Sequence, residues 1–403
     1  MKKALALLVA LTLLASLAVG SAGALASTPG KLLIWCSEAQ VPALKPMAAE
    51  FQKKYGVPVM VTEMGFGDIR PNLITKGPSG EGPDLIVGPH DWLGELVANG
   101  AVAPIDLTAN EESLFTGTAI KAFTYNGKLY GMPYAVEAIG LIYNKKLVPH
   151  PPKTLDELMA VAKKLTDPAK KEYGFLYPLG DAYHAYPFLS ADGHYFFRLT
   201  SKGFDAKDIG IAQMVPGARI IATLTQSGLV PKGSDYNTMA SLFQSGKVGM
   251  IMTGPWQIDS IKKAGIDYGV AKLPTIDGRP ATPFVGVQGF MMSAFSKNKL
   301  LAMQFLRDFV MTKEGQLAIH KVDPRIPALK SAFEAVSSDP DLKAFGESAA
   351  DGIPMPAIPE MAAVWNAVQN ALTAITNGQT DPVTAMKTAD AQVRKAIAQG
   401  AKK

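Results

Sequence analysis

KLLIWCSEAQVPALKPMAAEFQKKYGVPVMVTE, residues 31–63, carries the pattern that decides the fold. Lys31–Trp35 is a short apolar run of the kind that forms a buried strand. Across 41–55, Val41, Leu44, Ala48, Phe51 and Tyr55 recur at alternating spacings of three and four, which is one face of a helix. Gly56-Val57-Pro58 stops that helix, and Val57–Val61 begins the next strand. A third apolar run, DLIVG, follows at 84–88. Buried strands separated by helices predict an α/β fold with a parallel, doubly wound sheet. In such sheets ligands bind beyond the carboxyl ends of the strands. Ser37, Glu38 and Gln40 follow the first strand, and His90, Asp91 and Trp92 follow the third, so both groups fall where that rule places a ligand.

A second α/β region begins near residue 140. The proline-rich stretch VPHPPKT (148–154) leads into a helix, with Thr154 as N-cap and Glu157 three residues on, the capping-box spacing. Strands are predicted at Tyr173–Tyr177, Val248–Met252 and Tyr268–Lys272, and helices near 299–312 and 361–376. No internal repeat is present.

The amino-terminal stretch has the three parts of a secretory signal peptide. Lys2 and Lys3 precede an apolar run from Ala4 to Val19, and Ala24-Leu25-Ala26 forms a cleavage site before Ser27. The run is short for a membrane-spanning helix of about 20 residues. Residues 1–26 are therefore expected to be removed, leaving 377 of the 403 residues as a soluble, exported chain. That length exceeds one ordinary core and implies two domains. Cys36 is the only cysteine, so no disulfide forms within the chain. Bulky Trp35 before it argues against lipid attachment, and a diffusible product favours a periplasm. Hydrophobic residues make up 48% and charged residues 19%, a globular composition. The net charge is +5, of which the leader's two lysines supply two. Such a small excess gives no reason to expect nucleic acid as a partner.

No G-x-S-x-G, H-E-x-x-H, P-loop or G-x-G-x-x-G pattern occurs, so the common catalytic templates are missing. Asp91 and Glu137 remain open as a glycosidase carboxylate pair. Aromatics recur beside polar residues in His90-Asp91-Trp92, Asp181-Ala182-Tyr183, Gly254-Pro255-Trp256 and Val364-Trp365-Asn366. A sugar ring has an apolar C–H face, which an aromatic plane matches, and a hydroxyl edge, which carboxylates and amides match. The competing reading is that each tryptophan packs a core. Trp35 ends an apolar strand and fits that reading, whereas Trp365 lies one residue off the Val364–Val368–Leu372 stripe and points partly away from the core. A cationic ligand or a metal would want an acid-rich aromatic box or clustered His, Tyr and carboxylates, and neither is visible in the sequence.

At these residues the chain resembles the maltose/maltodextrin-binding proteins, the periplasmic receptors of ABC importers. The landmarks are KLLIWCSE (31–38), GPDLIVGPHDWLGEL (82–96), AFTYNGKLYGMPYAVEAIGLIYNKKLVPHPPKT (122–154), MIMTGPW (250–256), YGVAKLP (268–274), RPATPFVGVQGF (279–290) and IPMPAIPEMAAVW (353–365). Together they span essentially all of the chain after the leader.

The resemblance implies a two-lobed periplasmic binding protein fold with a hinge, each lobe a mostly parallel sheet flanked by helices. The amino-terminal lobe is expected at 27–135 plus 290–335, the carboxyl-terminal lobe at 140–285 plus 341–400, and the hinge near 136–139, 286–289 and 336–340. It further implies a monomer that is not an enzyme and needs no cofactor or metal. Such a protein closes on maltose or a maltodextrin and delivers it to the permease subunits of the importer. Asp91 matches the acid that accepts sugar hydroxyls on the first lobe, and Glu137 the hinge-side acid of the VEA motif. Tyr183, Trp256 and Trp365 match the aromatics on which glucose rings stack. Ser37, Glu38, Gln40, Trp92 and Arg325 are further ligand candidates, and Phe66 is within possible reach of the cleft. Several positions depart from the family pattern. Ser37-Glu38-Ala39-Gln40 replaces an Asn, Asp and Lys stretch, Val87-Gly88 stands where a Trp is common, and Gln369 replaces an Arg. Trp92 stands where an Arg is common and offers a compensating stacking surface. These departures leave open the preferred chain length and the acceptance of trehalose or another disaccharide.

Overall fold

The computed structural model describes residues 29–400, so the expected signal peptide at 1–26 lies outside the described residues. The repeating unit read at 31–63 is present as Leu32–Cys36, the helix Val41–Tyr55 and the strand Val59–Glu63. Gly56 caps the helix in the left-handed conformation at φ 69°, where a residue with a Cβ would be strained. Leu32–Cys36 pairs in parallel with Val59–Glu63 on one side and with Leu85–Pro89 on the other.

Two sheets organise two lobes. The first runs in the order Ile326–Pro327, Gly131–Glu137, Phe284–Ser293, Leu85–Pro89, Leu32–Cys36, Val59–Glu63. The second has the order Tyr268–Ala271, Gly140–Asn144, Val248–Thr253, Tyr173–Leu176. The α/β, two-lobed architecture is the one expected. Within each sheet, however, an interior strand runs against most of the others: Phe284–Ser293 in the first and Gly140–Asn144 in the second. The parallel pairing predicted from 31–88 holds for the strands that alternate with helices. Both of these interior strands follow directly on a segment of the other lobe, whereas Ile326–Pro327, also antiparallel to its neighbour, stays within the first.

Two hydrophobic cores form separately. One gathers side chains of 32–135, 287–310 and 319–332 around Trp35, Phe51 and Phe290. The other gathers 139–284 and 345–393 around Phe175, Tyr186 and Phe284. Trp35 is fully buried, as expected of a strand-ending core residue, and Cys36 beside it is a buried free thiol pushed up to about 12 by desolvation. The strand Gly131–Glu137 belongs to the first sheet, and two residues later Gly140–Asn144 belongs to the second. The strand Phe284–Ser293 likewise begins with Phe284 in the second core and continues with Val287–Met292 in the first.

Local expectations differ from the structure in two places. Thr154 caps its helix through Glu157 N at 3.2 Å, but the Glu157 carboxylate reaches back to Lys153 N at 2.6 Å instead of to the cap residue. The helix predicted over 299–312 is α-helical only over Lys299–Phe305 and continues as a wider π-turn over Leu306–Val310. No described helix is long and apolar enough to cross a membrane.

Separate cores should unfold separately. Phe51 is fully buried in the first core, with ring centroids 5.6 Å from Phe305 and 5.9 Å from Phe309. Phe51→Ala is expected to destabilise that core by about 3–5 kcal/mol through cavity formation. In urea unfolding followed by tryptophan emission, an earlier first transition should detach from a second one that keeps the wild-type midpoint.

Candidate functional site

Each lobe carries a tryptophan by the same device. The strand Leu85–Pro89 ends in Gly88-Pro89, and a short turn folds Trp92 back until its ring lies against the Gly88 Cα. The strand Val248–Thr253 is followed by Gly254-Pro255, and Trp256 folds back over Gly254. Any side chain at either glycine would occupy the volume of the indole. Trp92 is buried, with Phe66 at 5.1 Å and the Arg70 guanidinium at 5.8 Å from its ring centroid. Phe66 itself is 46% exposed, an aromatic edge that the sequence suggested only loosely.

The second lobe supplies an aromatic wall. Asp181 caps the helix Ala182–Leu189 by accepting from His184 N at 2.8 Å, and its carboxylate also meets His184 Nδ1 at 3.0 Å. That cap orients Tyr183 and His184 together. Their rings lie 6.2 Å and 6.1 Å from Trp256, with His184 edge-on at 88°. Tyr183 also stacks beside Phe284, 6.4 Å away, and Phe284 meets the edge of Trp365 at 6.1 Å. Among the described residues the buried Tyr183 hydroxyl has no hydrogen-bond partner. An unpaired buried hydroxyl is costly unless a ligand satisfies it.

The first lobe faces this wall with charge. Arg325 is buried between Glu137 and Asp323 and forms ion pairs with both. Glu137 accepts a second bond from Gln288 Nε2 at 3.0 Å. Asp323 accepts from the Tyr134 hydroxyl at 3.0 Å and from Gln40 Nε2 at 3.2 Å, and Ser37 Oγ donates to Gln40 Oε1 at 2.8 Å. Buried ionic groups persist only when so fully bonded. The Arg325 guanidinium also lies 5.1 Å from the Trp256 ring centroid, across the two lobes. Ser37, Gln40, Glu137 and Arg325 thus sit in one buried network, while Glu38 stands apart at the surface.

Asp91 is the other acid. It is buried beside Trp92, and its Oδ2 accepts from Trp365 Nε1 at 3.2 Å, so it too reaches the opposite lobe. Burial pushes its carboxyl up to about 6, partly opposed by Arg70 and by the Trp365 N–H. His90, adjacent to it, carries no sequence signal beyond following the third strand. Its Nδ1 lies 3.1 Å from Val287 N and its Nε2 lies 3.1 Å from Met355 O. The backbone N–H can only donate and the carbonyl can only accept, so the ring is neutral with its proton on Nε2. Burial accordingly pushes His90 down to about 4. No described group of three or more His, Cys, Asp or Glu is arranged to hold a metal ion.

The arrangement offers flat aromatic faces on one side and carboxyl acceptors on the other. A model of the bacterial extracellular solute-binding protein family matches residues 46–344. A galactooligosaccharide-binding protein of Bacillus subtilis is 33% identical, with 93% of this chain and 92% of that protein covered. A maltotriose-binding protein of Pyrococcus abyssi is also 33% identical, over 85% of this chain and 77% of that protein. A maltooligosaccharide ABC transporter solute-binding lipoprotein of Streptococcus pneumoniae is 29% identical over 92% and 89%.

The two perturbed groups of the turn predict opposite pH slopes. Between its usual 3.8 and about 6, Asp91 keeps in the folded state a proton that the unfolded chain has lost, so its contribution to stability falls as pH rises. Between about 4 and 6.5, the unfolded chain protonates a histidine that the folded state keeps neutral, so the His90 contribution rises with pH. In the wild type these oppose each other. Asp91→Asn should expose the rising slope and His90→Phe the falling one, each at most about 1.4 kcal/mol per pH unit. Urea midpoints from pH 4 to 7 measure this, and two flat variant profiles would contradict it.

Proposed function

The chain belongs to the bacterial extracellular solute-binding proteins, and from that premise we propose that it is the substrate-binding receptor of an ABC importer for maltose or short maltodextrins. It is exported through cleavage before Ser27 to a periplasm, works as a monomer, and hands its sugar to the permease subunits. The observation that carries this reading is the meeting of Tyr183, Trp256 and Trp365 from one lobe with Asp91 and Glu137 from the other. Stacked aromatic planes take the apolar faces of glucose rings, and the carboxylates accept from the ring hydroxyls. The Tyr183 hydroxyl gains a partner when sugar enters.

The lobes are proposed at 27–135 plus 290–335 and at 140–285 plus 341–400, with the hinge near 136–139, 286–289 and 336–340. Core membership supports this division, since it changes between Ala135 and Ile139, between Phe284 and Val287, and between Ala332 and Phe345. Trp92 and Phe66 extend the stacking surface on the first lobe. Arg325, Gln40 and Ser37 serve mainly to fix Glu137, and Glu38 contacts the ligand from the rim.

A second ligand class has its own support in the relative named for galactooligosaccharides, which matches over nearly the whole chain. β-linked galactosyl units would use the same planes and acceptors. A glycosidase built on Asp91 and Glu137 finds less support. Both Glu137 oxygens are engaged, by Arg325 and by Gln288, which suits a fixed acceptor better than an acid that must deliver a proton.

Calorimetry against maltose, maltotriose, maltotetraose, trehalose and a galactooligosaccharide decides the ligand. Binding of maltotriose with maltotetraose left intact after long incubation is the expected result. Steady release of shorter sugars, lost in Glu137→Gln, would overturn the receptor reading. Trp256→Ala should weaken binding by about 1.5–3 kcal/mol through lost apolar burial and stacking. That corresponds to roughly a ten- to hundredfold higher Kd. Unchanged affinity with a large loss of stability would make Trp256 a core residue instead.

A further inference from the structure

The turn that carries Asp91 touches the second lobe at more places than its carboxylate. The ladder between Phe284–Ser293 and Leu85–Pro89 ends at the pair Gln288 and Pro89. Beyond that rung Val287 has no partner in Leu85–Pro89, and on that side His90 Nδ1 accepts from its N–H at 3.1 Å. This bond fixes the proton on Nε2, which donates to the Met355 carbonyl at 3.1 Å. Met355 packs in the second core and directly follows the short strand Ile353–Pro354, which pairs with Phe284 and Val285 where the hinge strand enters the first sheet. Four residues after His90, Gly94 packs against the backbone of the same segment. A Cβ built on Gly94 would overlap the backbone of Ile358 and Pro359 and come within 2.6 Å of the Ala357 carbonyl oxygen. Gly94 sits inside the helix Leu93–Ala98, where a glycine is otherwise unfavourable relative to alanine. Its presence is explained by this approach and not by the helix.

We propose that His90 and Gly94 form a latch that closes the two lobes without help from sugar, by docking the turn 90–94 onto the segment 355–359. The latch brackets Asp91. It presents that carboxylate at the position where Trp365 Nε1 reaches it, so both are placed before a ligand arrives. His90 is a positioning residue: it touches hinge strand and opposite lobe, and acts on the ligand through its neighbour. A ligand-free protein then populates the closed form appreciably, and its sugar dissociates slowly because leaving requires the latch to open. Only the sugar measurements below rest on the reading of the cleft as an oligosaccharide site.

Three variants test the latch, with small-angle scattering, thermal unfolding and the dissociation rate of maltotriose as readouts. Gly94→Ala adds a helix-favouring methyl group that closure cannot accommodate. It should raise the ligand-free radius of gyration and speed dissociation about tenfold or more, while leaving Tm unchanged or higher. His90→Phe keeps an aromatic ring beside Phe123, whose centroid is 6.4 Å away, but removes both hydrogen bonds. It should open the ligand-free protein likewise. His90→Gln, with one acceptor and one donor, should recover part of the wild-type dissociation rate. Wild-type radius and dissociation rate in both Gly94→Ala and His90→Phe overturn the proposal, as does a fall in Tm with no change in either. If maltotriose does not bind the wild type but Gly94→Ala still expands the ligand-free protein, the latch stands and the sugar assignment fails.

Discussion

One buried guanidinium organises the cleft. Arg325 immediately precedes Ile326–Pro327, which pairs with Val136 and Ala135 at the edge of the first sheet. Its side chain is clamped by Glu137 and Asp323, at the point where Gly131–Glu137 leaves that sheet for the second lobe. Taking three charges out of water costs several kcal/mol for each ion, and only complete bonding offsets the cost. Gln288, Tyr134 and Gln40 supply that bonding from three different elements. The hinge strands are thereby held at a fixed spacing, and Glu137 is fixed with its carboxylate at the cleft floor. The same guanidinium lies over Trp256 and ties the floor to the opposite wall.

The two walls of the cleft use different physics. The second lobe presents rings of Tyr183, Trp256 and Trp365, supported by Phe284 and by the edge of His184. Their rigidity keeps the entropy cost of stacking low. The first lobe presents Asp91, a carboxyl whose burial raises the cost of ionisation. Asp91 has only Arg70 and the Trp365 N–H to balance its desolvation. Any further donor near this carboxylate improves that balance. The neutral imidazole of His90 carries no such charge penalty and can bridge the lobes.

Much of the fold was legible because its signals are local. The 3.6-residue period of Val41–Tyr55, the glycine at its end and the apolar runs on both sides correspond to elements that form from neighbouring residues alone. Trp35 as core and Trp365 as only half-buried also followed from strand and helix geometry. The antiparallel direction of Phe284–Ser293 was not legible, since it depends on partners about 150 to 200 residues away in sequence. The role of His90 was not legible either, because a single histidine after a strand has no spacing that announces a role, and its two partners, Val287 and Met355, are distant in sequence.

The sequence by itself determined that the chain alternates strands and helices, that its length needs two cores, and that aromatic and acidic residues follow the strand ends. These are properties of composition and short-range periodicity, which act before any distant contact forms. Only the tertiary structure decided which of those residues meet. It placed Ser37 and Gln40 in the Arg325 network, left Glu38 at the surface, laid Trp92 over Gly88 and brought Asp91 to Trp365. The last of these depends on two lobes packing across a hinge, while the others rest on contacts inside the first lobe, set by strand register and by the close approach at Gly88. Gln40 and Asp323 lie 283 positions apart and Asp91 and Trp365 lie 274 apart, pairings which no pattern within a single segment encodes.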